Sequence, residues 1–82
     1  MEERKEKFYD MIAEAGFKGL RDFSRACGIQ AGNVYSNISG RYKLSIERAF
    51  IYANTLRVPI MDILLTFYPR EVYENNDIAS CN

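Results

Sequence analysis

Apolar residues recur every three or four positions along most of the chain, which is the spacing that places them on one face of an α-helix. The first such set lies near the N-terminus and comprises Phe8, Met11, Ile12 and Ala15. Similar sets follow, and no segment has a convincing strand pattern. The pattern therefore predicts an all-α fold of five helices, at about residues 3–15, 20–27, 30–38, 45–56 and 59–68.

Serine, proline and glycine residues mark where these helices are expected to begin and end. Gly28 follows the second helix, where a glycine readily ends a helix in the left-handed conformation. Ser45 is suited to cap the fourth helix, and Pro59 suits the start of the fifth. The fourth helix is predicted to bury a face formed by Ile46, Ala49, Phe50, Ala53 and Leu56.

Length and composition limit the architecture to one small domain. The chain has 82 residues, of which 48% are hydrophobic and 27% charged, enough for a single core. We expect residues 1–68 to form this domain, and the polar residues 69–82 to form an extension that is partly ordered or takes part in dimerisation.

The charged N-terminus lacks the apolar core of a signal peptide, and no apolar run reaches the roughly 18 residues of a membrane span. A cytoplasmic protein with no membrane contact is predicted.

Positive and negative charges balance over the whole chain, but a surplus of positive charge lies between residues 18 and 43. Eleven basic and eleven acidic residues give a net charge of zero, which by itself argues mildly against a nucleic-acid partner. Residues 18–43, however, contain five basic residues and one acidic residue, whereas residues 44–82 contain three basic and five acidic ones. The positive charge is therefore polarised around the third predicted helix.

The third predicted helix lies within residues 28–40, GIQAGNVYSNISG, a stretch with three glycines and no charge. Gly32, early in the helix, should cost roughly 1 kcal/mol relative to alanine. Its presence indicates either a loop or a helix whose backbone another molecule approaches closely. The surrounding layout favours the second interpretation, because Gly28 gives a tight turn, Ile29 an apolar anchor after it, and Val34 a buried residue in mid-helix. Two helices joined in this way can present the second to the major groove of DNA.

The resemblance to a known family rests on several spaced features taken together. They are Phe23-Ser24, Gly28, a glycine twelve residues later at Gly40, basic residues within 41–43, Ser45, Ala53-x-x-Leu56, and an apolar run over 58–64. With them, residues 3–67 resemble the Cro/C1-type helix-turn-helix domain, the XRE family of phage and bacterial repressors. The resemblance implies a compact five-helix, lambda-repressor-like DNA-binding domain with a short C-terminal extension.

The family's DNA-contacting positions fall on the third helix and the loop after it. The positions implied to read bases are Ala31, Gly32, Asn33 and Ser36, with Gln30 open to interpretation as a helix cap or a base reader. Those implied to contact sugar or phosphate are Tyr35, Asn37, Arg41, Tyr42 and Lys43, and Arg21 flanks them on the second helix. Asn33 is the best candidate for hydrogen bonding, since asparagine pairs bidentately with adenine.

Three positions depart from the family pattern. Leu20 stands where a polar phosphate ligand is common, and Ser24 replaces the usual alanine beside the turn. Asn37 stands where a large apolar residue is common, so its side chain is expected to turn either to a backbone group or to DNA. Two tyrosines also leave alternatives open, because Tyr35 and Tyr42 could equally pack between the first and fourth helices. The basic side chains could form an ordinary solvated face.

A cluster of apolar and aromatic residues toward the C-terminus has two interpretations. It comprises Ile51, Met61, Phe67, Tyr68, Val72 and Tyr73. The cluster either completes the core over the fifth helix or forms the interface of a homodimer. Ile51 and Met61 fall where the family usually has polar residues, and exposed apolar patches often mark partner surfaces.

These observations predict a sequence-specific DNA-binding transcriptional regulator that binds double-stranded DNA as a homodimer; the resemblance supplies the expectation of a repressor. The alternative is a protein-interaction module or an antitoxin on the same fold, with a protein partner and weak or no independent DNA binding. An enzyme is not expected, since there is no histidine and no phosphate-binding loop. No cofactor or metal site is expected either, because the only cysteines, Cys27 and Cys81, lie far apart in the sequence.

Overall fold

The computed structural model describes residues 2–68, and within these residues it contains five α-helices and no β-strand. The helices are α1 (Glu2–Glu14), α2 (Leu20–Cys27), α3 (Ala31–Ile38), α4 (Ile46–Leu56) and α5 (Ile60–Phe67). The predicted all-α fold of five helices is confirmed, while the predicted extension at residues 69–82 lies outside the described residues. No single described helix is long and apolar enough to cross a membrane; α4 and α5 pass that test only as a pair, bent by 119°.

The two ends of α4 are stabilised in different ways. Ser45 precedes the helix, and its Oγ accepts a hydrogen bond from the backbone N–H of Arg48 at 3.1 Å, as expected of a serine cap. Arg57 ends the helix in the left-handed conformation with a φ of 59°. A residue with a Cβ costs roughly 1 kcal/mol there, and nothing in the sequence signals that conformation.

Four aromatic side chains form the centre of the core. They are Phe8, Phe23, Tyr52 and Phe67, and each is at most 3% exposed. In every pair except Phe23–Phe67, the ring centroids lie 5.2 to 6.5 Å apart, within the range of favourable edge-to-face and tilted contacts. Aliphatic side chains surround them: Ile12, Val34, Ile38, Leu56 and Ile63. Through this core, α3 packs against α1 and α2.

The face that α4 turns to the core agrees only in part with the predicted one, since Ala49, Ala53 and Leu56 are buried as expected. Ile46 and Phe50 are 57% and 51% exposed, so the prediction that they are buried is wrong. Tyr52 is fully buried instead, and its hydroxyl donates a hydrogen bond to Oδ1 of Asn37 at 2.8 Å. A pattern of apolar residues overlooks such a tyrosine, because its burial depends on a polar partner from another helix.

Candidate nucleic-acid interface

The turn between α2 and α3 fixes the angle between the two helices. Gly28 adopts a left-handed conformation with a φ of 75°, which a glycine adopts without steric cost. The backbone N–H groups of Gly28 and Ile29 donate hydrogen bonds to the carbonyls of Arg25 and Ser24, at 3.2 and 3.1 Å. Ser24 is buried, and its hydroxyl donates to the carbonyl of Arg21 at 2.9 Å. The small serine beside the turn is therefore accommodated without an unpaired polar group.

The inner face of α3 holds the helix against the core. Val34 and Ile38 are completely buried, and Asn37 is 2% exposed. These three residues lie three and four positions apart, so they share one side of the helix. The opposite side of α3 consequently faces away from the protein.

The outer face of α3 carries most of the residues predicted to read bases. Gln30, Gly32 and Asn33 are exposed, and Ala31 and Ser36 are half-buried. Gln30 occupies the N-cap position, but its side chain makes no capping hydrogen bond. Ser36 donates its hydroxyl to the carbonyl of Gly32 at 2.9 Å. Among these side chains, Gln30 and Asn33 therefore each offer an exposed amide, and Asn33 is the one of the two within the helix, whereas the hydroxyl hydrogen of Ser36 is already used within the helix.

Gly32 has no internal reason to be a glycine. It lies in the first turn of α3 with helical backbone, and a Cβ added there would meet no atom within 4 Å. Alanine would therefore fit and would favour the helix. Within the described residues, no contact of Gly32 therefore requires a glycine at this position.

Basic side chains border this outer face at its N-terminal end. Arg21 and Arg25, one turn apart on α2, are both exposed and line a groove that also reaches Ala31 at the start of α3. Lys18 lies at the same groove. Leu20, the departure from the family pattern, is half-buried and packs against the core.

The loop after α3 presents the second basic group. Arg41, Tyr42 and Lys43 are all exposed, and the backbone N–H of Tyr42 donates to the carbonyl of Ser36 at 3.1 Å. Nδ2 of Asn37 donates to the carbonyls of Tyr42 and Lys43, at 3.2 and 3.4 Å. The loop is thus tied by hydrogen bonds to the C-terminal end of α3.

Asn37 itself does not face outward, and the prediction that it contacts sugar or phosphate is wrong. Besides its two bonds to the loop, its Oδ1 accepts hydrogen bonds from the Tyr52 hydroxyl at 2.8 Å and from the Arg48 guanidinium at 3.2 Å. The other interpretation, that the side chain turns to backbone groups, is confirmed. Burial raises the pKa of the Tyr52 phenol to about 12, against the opposing effect of the Arg48 charge. Tyr52 therefore remains a protonated donor over the whole physiological range.

The two tyrosines near this face are both exposed. Tyr35 is 42% exposed, and its hydroxyl accepts a hydrogen bond from Nζ of Lys5 at 3.4 Å. The ammonium of Lys5 also lies 5.2 Å from the centre of the Tyr35 ring, which is cation–π distance. Tyr42 is 55% exposed. Neither ring is buried between α1 and α4, so both remain accessible to a partner.

The residues predicted to form a dimer interface differ in how far they are exposed. Phe67 is 3% exposed and lies in the aromatic core, so its assignment to a surface is wrong. Tyr68 is half-buried, and its hydroxyl accepts a hydrogen bond from the backbone N–H of Leu44 at 2.9 Å. Ile51 and Met61 are exposed, at 39% and 45%. Val72 and Tyr73 lie outside the described residues.

Two observations within residues 2–68 concern metal-ligating and nucleophilic side chains. No group of three or more histidine, cysteine, aspartate or glutamate side chains there is placed to hold a metal ion. Burial raises the pKa of the Cys27 thiol, although a hydrogen bond with Thr55 acts in the opposite direction. A thiol with a raised pKa is a poor nucleophile at neutral pH.

Comparisons with protein-family models, with curated proteins and with solved structures found no match. The resemblance to the XRE family therefore remains a prediction from the residues and their spacing.

Proposed function

We propose that the protein is a sequence-specific DNA-binding regulator that reads the major groove with α3. The observation that carries this proposal is the contrast between the two sides of that helix. Val34, Asn37 and Ile38 hold the inner side in the core, while Gly32 and Asn33 are exposed on the outer side. A helix held on one side and free on the other suits insertion into a groove about 12 Å wide.

The side chains of the outer face divide between close approach and base recognition. Ala31 and Gly32 keep the first turn of α3 narrow, which lets the helix backbone approach base edges. Asn33 supplies an exposed amide that can donate and accept at once, as adenine requires. Asn33 is the residue to which we assign sequence discrimination.

The basic side chains around α3 are assigned to the DNA backbone. Arg21 and Arg25 border the N-terminal end of the helix, and Arg41 and Lys43 follow its C-terminal end. Contacts of cations with phosphates position a protein on the duplex without reading its sequence. Positive charge at both ends of α3 fits phosphates on the two sides of a groove.

The family resemblance implies that the regulator is a repressor, and the proposal further places it in the cytoplasm as a homodimer. A two-fold dimer would place two copies of α3 about one turn of DNA apart, on a nearly palindromic site. Ile51 and Met61 remain candidates for that interface, and the exposed Ile46 and Phe50 on α4 join them.

The same exposed apolar residues favour a second candidate function, a protein-interaction module. Ile46 and Phe50 lie four positions apart and so share one face of α4, where each is more than half exposed. Exposed apolar surface of this kind is common at protein interfaces. In that case the purified chain would bind a protein partner and have little affinity for DNA.

The experiment that separates the two functions is a mobility-shift titration at two salt concentrations with specific and random duplexes. A selected duplex is expected to bind more tightly than random DNA, with affinity falling steeply as salt rises. Asn33→Ala is expected to remove about 1–3 kcal/mol of discrimination. Arg41→Gln is expected to weaken binding to all duplexes. It should also reduce the salt slope, which is the steepness with which log affinity falls against log salt concentration, by about 1.

The matched control is Arg57→Gln, which removes the same charge from an exposed position at the end of α4. Arg57 lines a cavity with Glu14 and Phe17, away from the residues of the proposed interface. It is expected to leave both affinity and salt slope unchanged. Absence of binding to any duplex at low salt would reject the DNA-binding function and leave the protein-interaction module.

A further inference from the structure

The first turn of α1 lies beside α3, although nothing in the helix-turn-helix pattern involves it. Nζ of Lys5 donates a hydrogen bond to the Tyr35 hydroxyl at 3.4 Å and lies 5.2 Å from the centre of its ring. Both side chains are exposed. A cation from α1 is thus held at the edge of the outer face of α3.

A second contact holds the same turn of α1 in place. The guanidinium of Arg4 lies 5.7 Å from the centre of the buried Phe67 ring. Its NH1 atom is 3.1 Å from the position that a Cβ on Gly40 would occupy. Because Gly40 comes just after Ser39, the C-cap of α3, Arg4 places the start of α1 beside the C-terminal end of that helix.

Lys5 extends the row of cations along one flank of α3. Ala31 and Tyr35 are four positions apart, so they lie on the same flank of α3, about one helical turn or roughly 6 Å from each other along the helix axis. Arg21 and Arg25 border the groove at Ala31, and Lys5 sits at Tyr35. Asp22 also lines that groove, where its carboxylate accepts a hydrogen bond from the backbone N–H of Lys18 at 3.0 Å, so the two arginines leave a net positive charge there. A row of positive charge that runs parallel to an inserted helix also runs along the edge of the groove, where the phosphates are.

The chemistry of Lys5 leaves it able to bind an anion. An ammonium has three N–H donors, and the bond to the neutral Tyr35 hydroxyl uses one of them without cancelling the charge. The Tyr35 ring limits the positions that the long side chain can take. Less conformational entropy is then lost when the ammonium binds a phosphate.

We propose that Lys5, positioned by Tyr35, binds a phosphate of the DNA backbone and makes the first turn of α1 part of the DNA interface. This inference rests on the proposed function. It adds a contact from outside the helix-turn-helix pair and predicts that α1 contributes to affinity without contributing to sequence discrimination.

The test is the salt dependence of duplex binding by Lys5→Ala, with Lys7→Ala as the matched control. Lys7 is also an exposed lysine of α1, but it lines a different cavity with Asp10, Glu14 and Asp62. Lys5→Ala is expected to reduce the salt slope by about 0.9. The factor by which affinity falls between 50 and 200 mM salt should then be about 3-fold smaller for this variant than for the wild type. Lys7→Ala is expected to keep the wild-type slope, and Lys5→Arg, which retains the charge, to restore most of it.

The outcomes separate this inference from the function on which it rests. Equal slopes for Lys5→Ala, Lys7→Ala and wild type, with a reduced slope for Arg41→Gln, would overturn the role of Lys5 and leave DNA binding intact. Equal reductions for Lys5→Ala and Lys7→Ala would also overturn it, since they would reflect total charge alone. No duplex binding by the wild-type protein would remove both proposals. Thermal melting of each variant by circular dichroism checks that the fold is unchanged.

Discussion

The inner and outer faces of α3 differ in what their side chains contact. On the inner face, Val34 and Ile38 are completely buried and Asn37 makes four hydrogen bonds. On the outer face, Gly32 has open space around it and Asn33 is exposed. One helix therefore has a face that stabilises the fold and a face that is available to a partner. Substitutions on the two faces should consequently alter different measured quantities.

The inner face is more than an apolar stripe, because Asn37 connects three parts of the molecule. Its amide reaches the loop at Tyr42 and Lys43, and its carbonyl oxygen reaches Arg48 and Tyr52 on α4. A fully bonded buried polar group favours one arrangement of its neighbours, since any other arrangement leaves donors unpaired. The position of the basic loop thus depends on the interior of the protein.

Asn37→Leu should produce the largest effect and tests whether the inner face depends on this network. Leucine is similar in size but leaves the buried Tyr52 hydroxyl without an acceptor. We expect the free energy of unfolding to fall by about 2–3 kcal/mol, the desolvation cost of an unpaired buried group together with the lost loop contacts. Urea unfolding measures this change directly. A variant as stable as the wild type would show that the hydrogen bonds contribute nothing net.

The control for this prediction is the double variant Asn37→Leu with Tyr52→Phe. Removing both partners leaves no unpaired hydroxyl, so much of the lost stability should return. If the stability lost by the double variant equals the sum of the losses of the two single variants, the two residues are not directly coupled.

The sequence predicted the helices well because they depend on local features. Periodic apolar residues, the Ser45 cap and the Gly28 turn all act within a few positions of the helix ends that they define. Which residues of α4 are buried depends instead on the other helices. Ile46 and Phe50 fit the apolar spacing yet are exposed, whereas Tyr52 is buried because Asn37 offers an acceptor from a distant part of the chain.

The exposure of the candidate residues was predictable from the sequence, but the contacts between side chains were not. Exposure of Asn33 and of the loop residues Arg41 and Lys43 follows the predicted layout. The contact of Lys5 with Tyr35 links residues thirty positions apart, and no local pattern signals such a pairing. Asn37 was open to two interpretations for the same reason, since its partners on α4 become neighbours only after folding.

Tyr52→Phe should lower the free energy of unfolding by a smaller amount than Asn37→Leu. The pH dependence of its stability tests the hydrogen bond that Tyr52 makes to the inner face of α3. At neutral pH the variant is expected to be about 1 kcal/mol less stable, because one hydrogen bond is lost. The folded protein holds the Tyr52 pKa at about 12, above the value near 10 of an unfolded tyrosine. Between pH 10 and 12 the unfolded state therefore releases the proton first, and wild-type stability falls by up to about 1.4 kcal/mol per pH unit.

The phenylalanine variant has no such titrating group, so the amount by which it is less stable than the wild type should shrink as the pH rises. Near pH 12 the variant should be the more stable of the two proteins. Urea unfolding of the two proteins at pH 7, 10 and 11.5 measures the difference. A constant difference across these pH values would show that Tyr52 titrates alike in the folded and unfolded states. The other tyrosines are present in both proteins and cancel in the comparison.

Gly32→Ala should have the smallest effect on stability, and it distinguishes the outer face from the inner one most directly. The added methyl group meets no atom within 4 Å, so stability should rise by about 0.5–1 kcal/mol through helix propensity. Gly40→Ala is the control, because Gly40 has a φ of 85° and Arg4 lies 3.1 Å from the added Cβ. The Gly40→Ala variant should be less stable than the wild type.

If the backbone of α3 approaches DNA as proposed, Gly32→Ala should also bind the selected duplex roughly tenfold more weakly, about 1.4 kcal/mol. A variant that is more stable and binds DNA as tightly as the wild type would show that no partner approaches Gly32, and would leave its place in the helix without a functional reason.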